Sequence, residues 1–584
     1  MHYPTLREIE TSREQIDVFK GYNHNLRIGD GEFYDMKNLS SDNYPILSPR
    51  LKRGVYATPT KPHGLISKDS LCYVDGEDFV IGEERISMGL ADSHKTLISM
   101  GAYVIIMPDK KYINTVKRDG DGNLTDYGDI EASVSTTETV TFALCKIDGS
   151  ETKAVAQDAA PSSPKDGDLW IDTSEKPHRL KQYSSTNTTW TTLTTTYVKI
   201  SCTGIGVPFS VDDGVTIEGV EEYTDLNTST IIHEKGDDYI VVTGLIDELT
   251  TQYTSITVSR KMPNMDFIIE SENRLWGCRY GEALNGEMVN EIYASKLGDF
   301  KNWNSFKGIS TDSYAVTVGT DGAFTGAITH LGYPLFFKEN CLHKIYGNYP
   351  SNYQVQTTSC RGVQKGCEKS LAIVDEVLFY KARSAVCAYD GSLPQEMSTS
   401  LGDIAYKNAV GGVLGNKYYI SMADISDVDD HYTLFVFDTK KGLWHKEDNT
   451  QATAFCNHKG ELYYIDRADN LIKAVKGSVG VIETKPIRWE AITGLMGTDS
   501  PDKKYISRID VRMSLNIDTR VVIYAEYDSS GAWEHLFTMA GVNLRSFAVP
   551  IKPKRCDHLR LRFDGYGDAK IFSICKTIEK GSDV

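Results

Sequence analysis

Apolar residues along this chain fall in short runs with a period of two, broken by turns rich in glycine, asparagine and aspartate, the signature of strands in antiparallel meanders. HGLISKDSLCYVDGEDFVIG (His63–Gly82) and KTLISMGAYVIIMPDKKYIN (Lys95–Asn114) each read as strand, turn, strand, turn, strand. The layout returns in PNMDFIIESENRLWGCRYG (Pro263–Gly281) with NEIYASKLGDFKNW (Asn290–Trp303), and in GAITHLGYPLFFKENCLHKIYG (Gly326–Gly347). It returns again in KSLAIVDEVLFYKARSAVCAYDG (Lys369–Gly391), in GVLGNKYYISMADI (Gly412–Ile425) with YTLFVFDTKKGLWHKED (Tyr432–Asp448), and in ATAFCNHKGELYYIDRADNLIKAV (Ala452–Val475). Starts roughly 40–60 residues apart match the repeat of a β-propeller blade. A small antiparallel sheet cannot bury both its faces alone, and stacking against like sheets does so. The pattern therefore predicts an all-β chain with a propeller of about seven blades.

Two stretches depart from the repeat. Between the second and third units lies a long interruption, with KDGDLWIDTSEKPHRLKQYSSTNTTW (Lys165–Trp190) at its middle. Here Asp168–Ile171 is expected to pair with Leu180–Tyr183 across a turn, and Trp170, Tyr183 and Trp190 to form a miniature aromatic core. SCTGIGVPFSVDDGVTIEG (Ser201–Gly219) and DDYIVVTGLI (Asp237–Ile246) suggest a second small β-domain beside it. Near the C-terminus RIDVRMSLNI, RVVIYAEYDSSGAWEHL, RSFAVPI and HLRLRFDGYG alternate strictly and read as a jelly-roll type β-sandwich. The expected organisation is an N-terminal arm (1–60), first blades (61–118), inserted small β-domains (119–262), remaining blades (263–475) and the sandwich (476–584).

Composition narrows the function classes. At 584 residues the chain exceeds one hydrophobic core, with about three to five domains as the prior. No run approaches the roughly 20 apolar residues that span a bilayer, and the polar opening lacks a leader's apolar core. This points to synthesis in a cytoplasm without membrane insertion. A net charge of −17 is the wrong sign for gripping nucleic acid by its phosphates; basic runs such as Lys552–Arg555 are short. The 11 cysteines are scattered, odd in number and without CxxC, so they are expected to be free thiols, Cys360 and Cys367 included.

No catalytic constellation emerges. Asp119, Asp121 and Asn123 have calcium-loop spacing, but Leu124 stands where the EF-hand needs glycine and Ile130 where it needs glutamate. That loop reads as a polar hairpin, and the acidic loop Asp424–Asp430 likewise. GxSxG, HExxH and phosphate-binding glycine loops are absent. YDSSGAW (Tyr527–Trp533) is one residue short of a sialidase Asp-box. The expectation is accordingly a chain that is no enzyme, with no catalytic, cofactor-binding or metal-ligating residue to name.

FKGYNHNLRIGDGEFYDMKNLSSDNYPILSPR (Phe19–Arg50) resembles the opening of tail and DNA-stabilisation proteins of tailed bacteriophages. ENRLWGCRYG (Glu272–Gly281) followed by EIYASKLGDFKNWNSF (Glu291–Phe306) is similar to a segment of phage tail-nozzle and hub proteins, and GDLWIDTS with its following tryptophan is similar to modules of phage structural proteins. The resemblance implies a virion component at the tail end of the head-to-tail conduit, assembled in the host cytoplasm. Its partners would be copies of itself in a ring (six-fold in nozzle-type relatives), other tail or connector proteins, and DNA passing through an acidic lumen without specific binding. The inserted domains and the C-terminal sandwich are departures from the pattern that not all such proteins share. The main rival is a carbohydrate-binding or glycan-cleaving propeller with the sandwich as lectin-like partner. A kelch-like scaffold, suggested by Gly411-Gly412 and DTKKGLW (Asp438–Trp444), is a further one.

Overall fold

The computed structural model describes residues 11–283, 286–429, 431–477, 479–498, 503–551 and 554–580. Among them no α-helix is present and strands carry the architecture. Seven sheets have the blade layout, each a meander paired in sequence order. Their opening strands are Pro62–Ser67, Thr96–Met100, Phe267–Ser271, Phe324–His330, Ala372–Val374, Tyr406–Leu414 and Ala452–His458. The fold class is a β-propeller with inserted β-sheets and a C-terminal β-sandwich, as the period-two repeats require.

By its contacts the chain forms two compact units, Met1–Lys95 with Phe337–Leu342 and Thr358–Val584, and Thr96–Phe336 with His343–Thr357. In the first, the seventh blade takes its fourth strand, Gly54–Ala57, from ahead of the first blade; Lys473 lies opposite Val55 and Ala474 opposite Gly54. Leu71, Tyr73 and Val80 of the first blade share a core with Tyr463, Ile465 and Ile472 of the seventh. The Gly411-Gly412 pair has a packing cause. A Cβ on Gly411 would meet the Ser370 carbonyl at 2.7 Å on the fifth-blade side, and one on Gly412 would meet Phe455 of the seventh blade at 2.5 Å. The two glycines let the sixth blade's opening strand lie close to both neighbours.

The stretch expected as an arm is woven into the sheets. Thr11–Ile16 pairs with Ala569–Lys580, Tyr22 lies opposite Trp444 of the sixth blade, and Glu32–Lys37 pairs with Arg488–Thr493. Sandwich and sixth blade thereby form one sheet of 13 strands. The sandwich turns on Lys504–Tyr527, a 24-residue strand that breaks register between Leu515 and Arg520. Its first half pairs with Ala569–Lys580 and its second with Leu559–Tyr566. Ile509, Val511, Val521, Ile523, Phe563 and Ile574 fill the space between the layers.

In the second unit the insertion differs from the expected pair of small domains over 119–262. Tyr127–Asp129 completes the second blade. Three sheets then surround one continuous core of Val140, Phe142, Val198, Ile200, Ile217, Ile240 and Val258. The Leu169–Asp172 module adds Ile171 and Leu180 to that core, because a sheet this small has too little apolar surface to stand alone. Its other face holds the aromatic group: Trp190 packs on Trp170 at 5.4 Å and on Tyr183 at 5.2 Å between ring centroids. Strand pairing is as read, with Ile171 opposite Leu180 and Tyr183 opposite Trp190.

Candidate functional site

In the first unit, a cleft of about 770 Å³ opens where the fifth blade runs into the sixth. That volume lies in the range of ligand pockets, about 300–1,000 Å³. Its lining is polar: exposed Arg383, Ser384, Glu396 and Asp403 at the mouth, buried Lys381 and Tyr406 deeper in. Lys381 Nζ donates to Gln364 Oε1 at 2.9 Å and to the Ala382 carbonyl at 2.5 Å. With no carboxylate among those partners, burial lowers its pKa below the usual lysine value. Burial also raises Tyr406, assisted by the charges of Asp424 and Asp35. The wall is fixed from the N-terminal segment, since Asn25 Nδ2 donates to the Thr399 carbonyl at 2.9 Å and the His24 amide to that of Ser400 at 2.8 Å.

The same N-terminal segment leads from the cleft to a row of carboxylates on the sandwich. His24 stacks on Tyr34 at 4.4 Å, and Asp35 follows, accepting from Lys446 Nζ at 2.9 Å. Strict alternation sends Trp489, Ala491, Leu561 and Phe563 into the core, leaving Glu490, Arg560, Arg562 and Asp564 half-buried on the outer face. Glu490 lies directly opposite Asp564, and the two carboxyls are in hydrogen-bond contact. Burial raises the Glu490 pKa first, Asp564 raises it further, and Asp35 adds to it against the opposing charge of Arg562. Arg562 Nη2 donates to Asp564 Oδ2 at 3.1 Å, and its guanidinium lies 4.5 Å from the Tyr524 ring centroid and 5.0 Å from that of Trp533. Arg560 lies 4.6 Å over Tyr34. The face thus sets proton donors, acceptors and ring faces side by side, which suits a ligand with many hydroxyls.

Sequence reasoning gave none of these residues a role in a site, although Trp533 closes the YDSSGAW motif it weighed. LRLRFDGY shows which side chains face outward, but Glu490 and Asp35 come from other strands and only pairing brings them in. Apart from Trp533, the motifs it weighed fall elsewhere. Asp119 Oδ1 accepts from the amides of Asp121 and Asn123 at 3.0 and 2.8 Å, closing a polar hairpin. YDSSGAW is the turn before Trp533–Val549, where the Gly531 amide donates to Glu526 at 2.8 Å. In the acidic loop Asp427 pairs with His431, and the ligand atoms of these two and Asp429 lie within 4.8 Å on an open surface; Asp430 lies outside the described residues, as do Lys552 and Pro553. All 11 cysteines are free, and burial pushes Cys72 up to about 12 and Cys145 to about 11. No helix among the described residues is long and apolar enough to cross a membrane.

No family model and no curated protein matches the chain. Among solved structures it is similar to an exo-β-1,3-galactanase from Phanerochaete chrysosporium, at 9% identity and a TM-score of 0.22 over 53% of this chain and 94% of that one. A glycoside hydrolase family 43 arabinoxylan arabinofuranohydrolase from Bacillus subtilis gives 8%, 0.20, 53% and 94%. An extracellular domain assigned to a one-component system of B. thetaiotaomicron gives 10% and 0.20 over 93% and 98%. At such scores no residue role is carried across. The expectation that the chain is no enzyme does not stand, because it rested on missing motifs alone. A glycosidase needs only two carboxylates at the right separation, and such a pair leaves no motif in a sequence.

Proposed function

We propose that the chain is a carbohydrate-binding β-propeller protein, with the sandwich face around Glu490 and Asp564 as its glycan contact. The observation that carries this reading is the Glu490–Asp564 carboxyl pair, set directly opposite across neighbouring strands beside an arginine that lies over two aromatic rings. Carboxyls in hydrogen-bond contact stand closer than the roughly 5–5.5 Å or 6.5–9.5 Å separations of retaining and inverting glycosidases, so the row is read as a binding face. The test is a glycan array followed by calorimetry on the wild type, Glu490→Gln with Asp564→Asn, and Trp533→Ala. Saturable binding of an oligosaccharide that falls at least about tenfold in both variants supports the reading. No binding by the wild type, or binding indifferent to both variants, refutes it. Following reducing ends on the bound oligosaccharide then tells whether cleavage accompanies binding.

A second reading concerns the setting, and the segment Phe19–Arg50 favours it: the residues that resemble phage tail proteins are those that tie the sixth blade to the sandwich. On this reading the chain is a tail subunit of a tailed phage, docking other tail proteins around a DNA conduit. Electron microscopy of virions labelled with an antibody to the chain tests it; label at the tail supports it, and label absent from virions refutes it.

A further inference from the structure

Basic side chains from distant segments of the first unit gather around Lys369, just ahead of the fifth blade. Its Nζ donates to the Thr453 carbonyl of the seventh blade at 3.0 Å and stands 3.5 Å from His94 Nδ1. The Lys95 amide donates to the His63 carbonyl at 2.8 Å, which ties His94 to the opening strand of the first blade. Arg467 is brought in by its amide, which donates at 2.9 Å to the Gln451 carbonyl, two residues from Thr453. Lys369 is half-buried, while His94 and Arg467 are exposed, so a solute reaches all three. In a chain with 80 acidic and 63 basic side chains, such groups ordinarily find a carboxylate. Among the described residues none of these three forms an ion pair, and nearby Asp92 is taken by Lys61 and His63. Burial lowers the Lys369 pKa; Glu368 partly offsets this and Arg467 adds to it. Burial also brings His94 down to about 4, helped by the charges of Lys369, His63 and Lys95. Positive charge is held here at a cost that an anion would remove.

We propose that this cluster is a binding site for a phosphate or sulfate group. An ammonium only donates, so His94 Nδ1 accepts from Lys369 and the ring carries its proton on Nε2, a further donor. Lys369, His94 and Arg467 thus offer N–H groups from three segments, and the planar fork of Arg467 can take two oxygens at once. A tetrahedral oxyanion has oxygens enough for all three, whereas a carboxylate has two. Its double charge also offsets more of the repulsion among the basic groups. The cluster shares no residue with the Glu490–Asp564 face, and the proposal does not rest on the reading of that face.

The test is calorimetric titration of the full chain, at constant ionic strength, with inorganic phosphate, sulfate, a hexose phosphate and, as the carboxylate control, acetate. Saturable binding of phosphate or sulfate that weakens at least about tenfold in both Lys369→Met and Arg467→Gln is the expected result. Tighter binding of the hexose phosphate than of inorganic phosphate supports the site and names a phosphorylated sugar as the source; the reverse order supports it with the free ion as the source. Circular dichroism shows that each variant keeps the fold. Arg467 lies on an exposed turn, so Arg467→Gln gives the answer even where Lys369→Met does not fold. A wild type that takes up neither ion overturns the proposal. So does acetate bound as tightly as phosphate, or binding that is unchanged in either folded variant.

Discussion

Removing the guanidinium of Arg53 should loosen the clasp of the seventh blade. Arg53 immediately precedes Gly54–Ala57, and its side chain is only 6% exposed. Nη2 pairs with Glu447 Oε2 at 2.7 Å and Nη1 with Asp448 Oδ2 at 2.9 Å, while Nη1 also donates to Thr450 Oγ1 at 2.6 Å. Arg53→Leu strands two buried carboxylates, a change that costs about 3–5 kcal/mol when no cation remains. Arg50 stays within 3.5 Å of Asp448 and 4.0 Å of Glu447, which places the expected loss at the low end, about 3 kcal/mol. Protonation gives an independent figure. Burial opposes ionisation of Asp448, yet Arg53 and then Arg50 and Thr450 bring its pKa down to about 2. A depressed carboxylate stabilises the fold above its unfolded pKa, and that stability is lost as pH falls through about 2. The shift corresponds to about 2 kcal/mol at neutral pH, in line with the mutational figure. Native-state hydrogen exchange of the Gly54–Ala57 and Ile472–Ala474 amides reads the local opening free energy without assuming that the whole chain unfolds in one step. Arg53→Lys should lose less, since it keeps the charge and gives up the fork. Amides of Tyr103–Met107, in the second unit, serve as the control. Opening free energies within about 0.5 kcal/mol of wild type in Arg53→Leu would refute the clasp.

Gly412→Val should cost about 1–3 kcal/mol by overpacking against Phe455, visible as a lower unfolding midpoint for the first unit. Glu490→Gln should raise the melting temperature at neutral pH. The folded pKa of Glu490 is raised, so its contribution is full below the unfolded value and is lost as pH rises through the folded one, and the amide removes that loss; a variant that keeps the wild-type pH dependence contradicts this. By the same sign, glycan binding that uses the protonated Glu490 carboxyl should weaken toward alkaline pH, read by calorimetry across pH. Trp190→Ala removes two ring contacts worth together about 2 kcal/mol, so proteolysis between residues 155 and 192 should accelerate while the blades stay resistant.

Period-two alternation and turn residues determined the blades, the module around Trp170 and the strands of the sandwich, because both signals are local: each strand's pattern is set by which faces must be buried. The Gly411-Gly412 pair was visible in the chain, yet its cause, the Ser370 carbonyl on one side and Phe455 on the other, belongs to neighbouring blades. The arm is the clearest departure. Nothing local in Thr11–Ile16 or Glu32–Lys37 says that their hydrogen bonds go to Ala569–Lys580 and Arg488–Thr493, since open strand edges accept any strand of matching register. The raised pKa of Glu490 was equally hidden, because a carboxylate's pKa depends on burial and on charges that pairing brings across from distant segments. The sequence by itself determined which residues face in and out; the tertiary structure alone decided which of the outward ones meet.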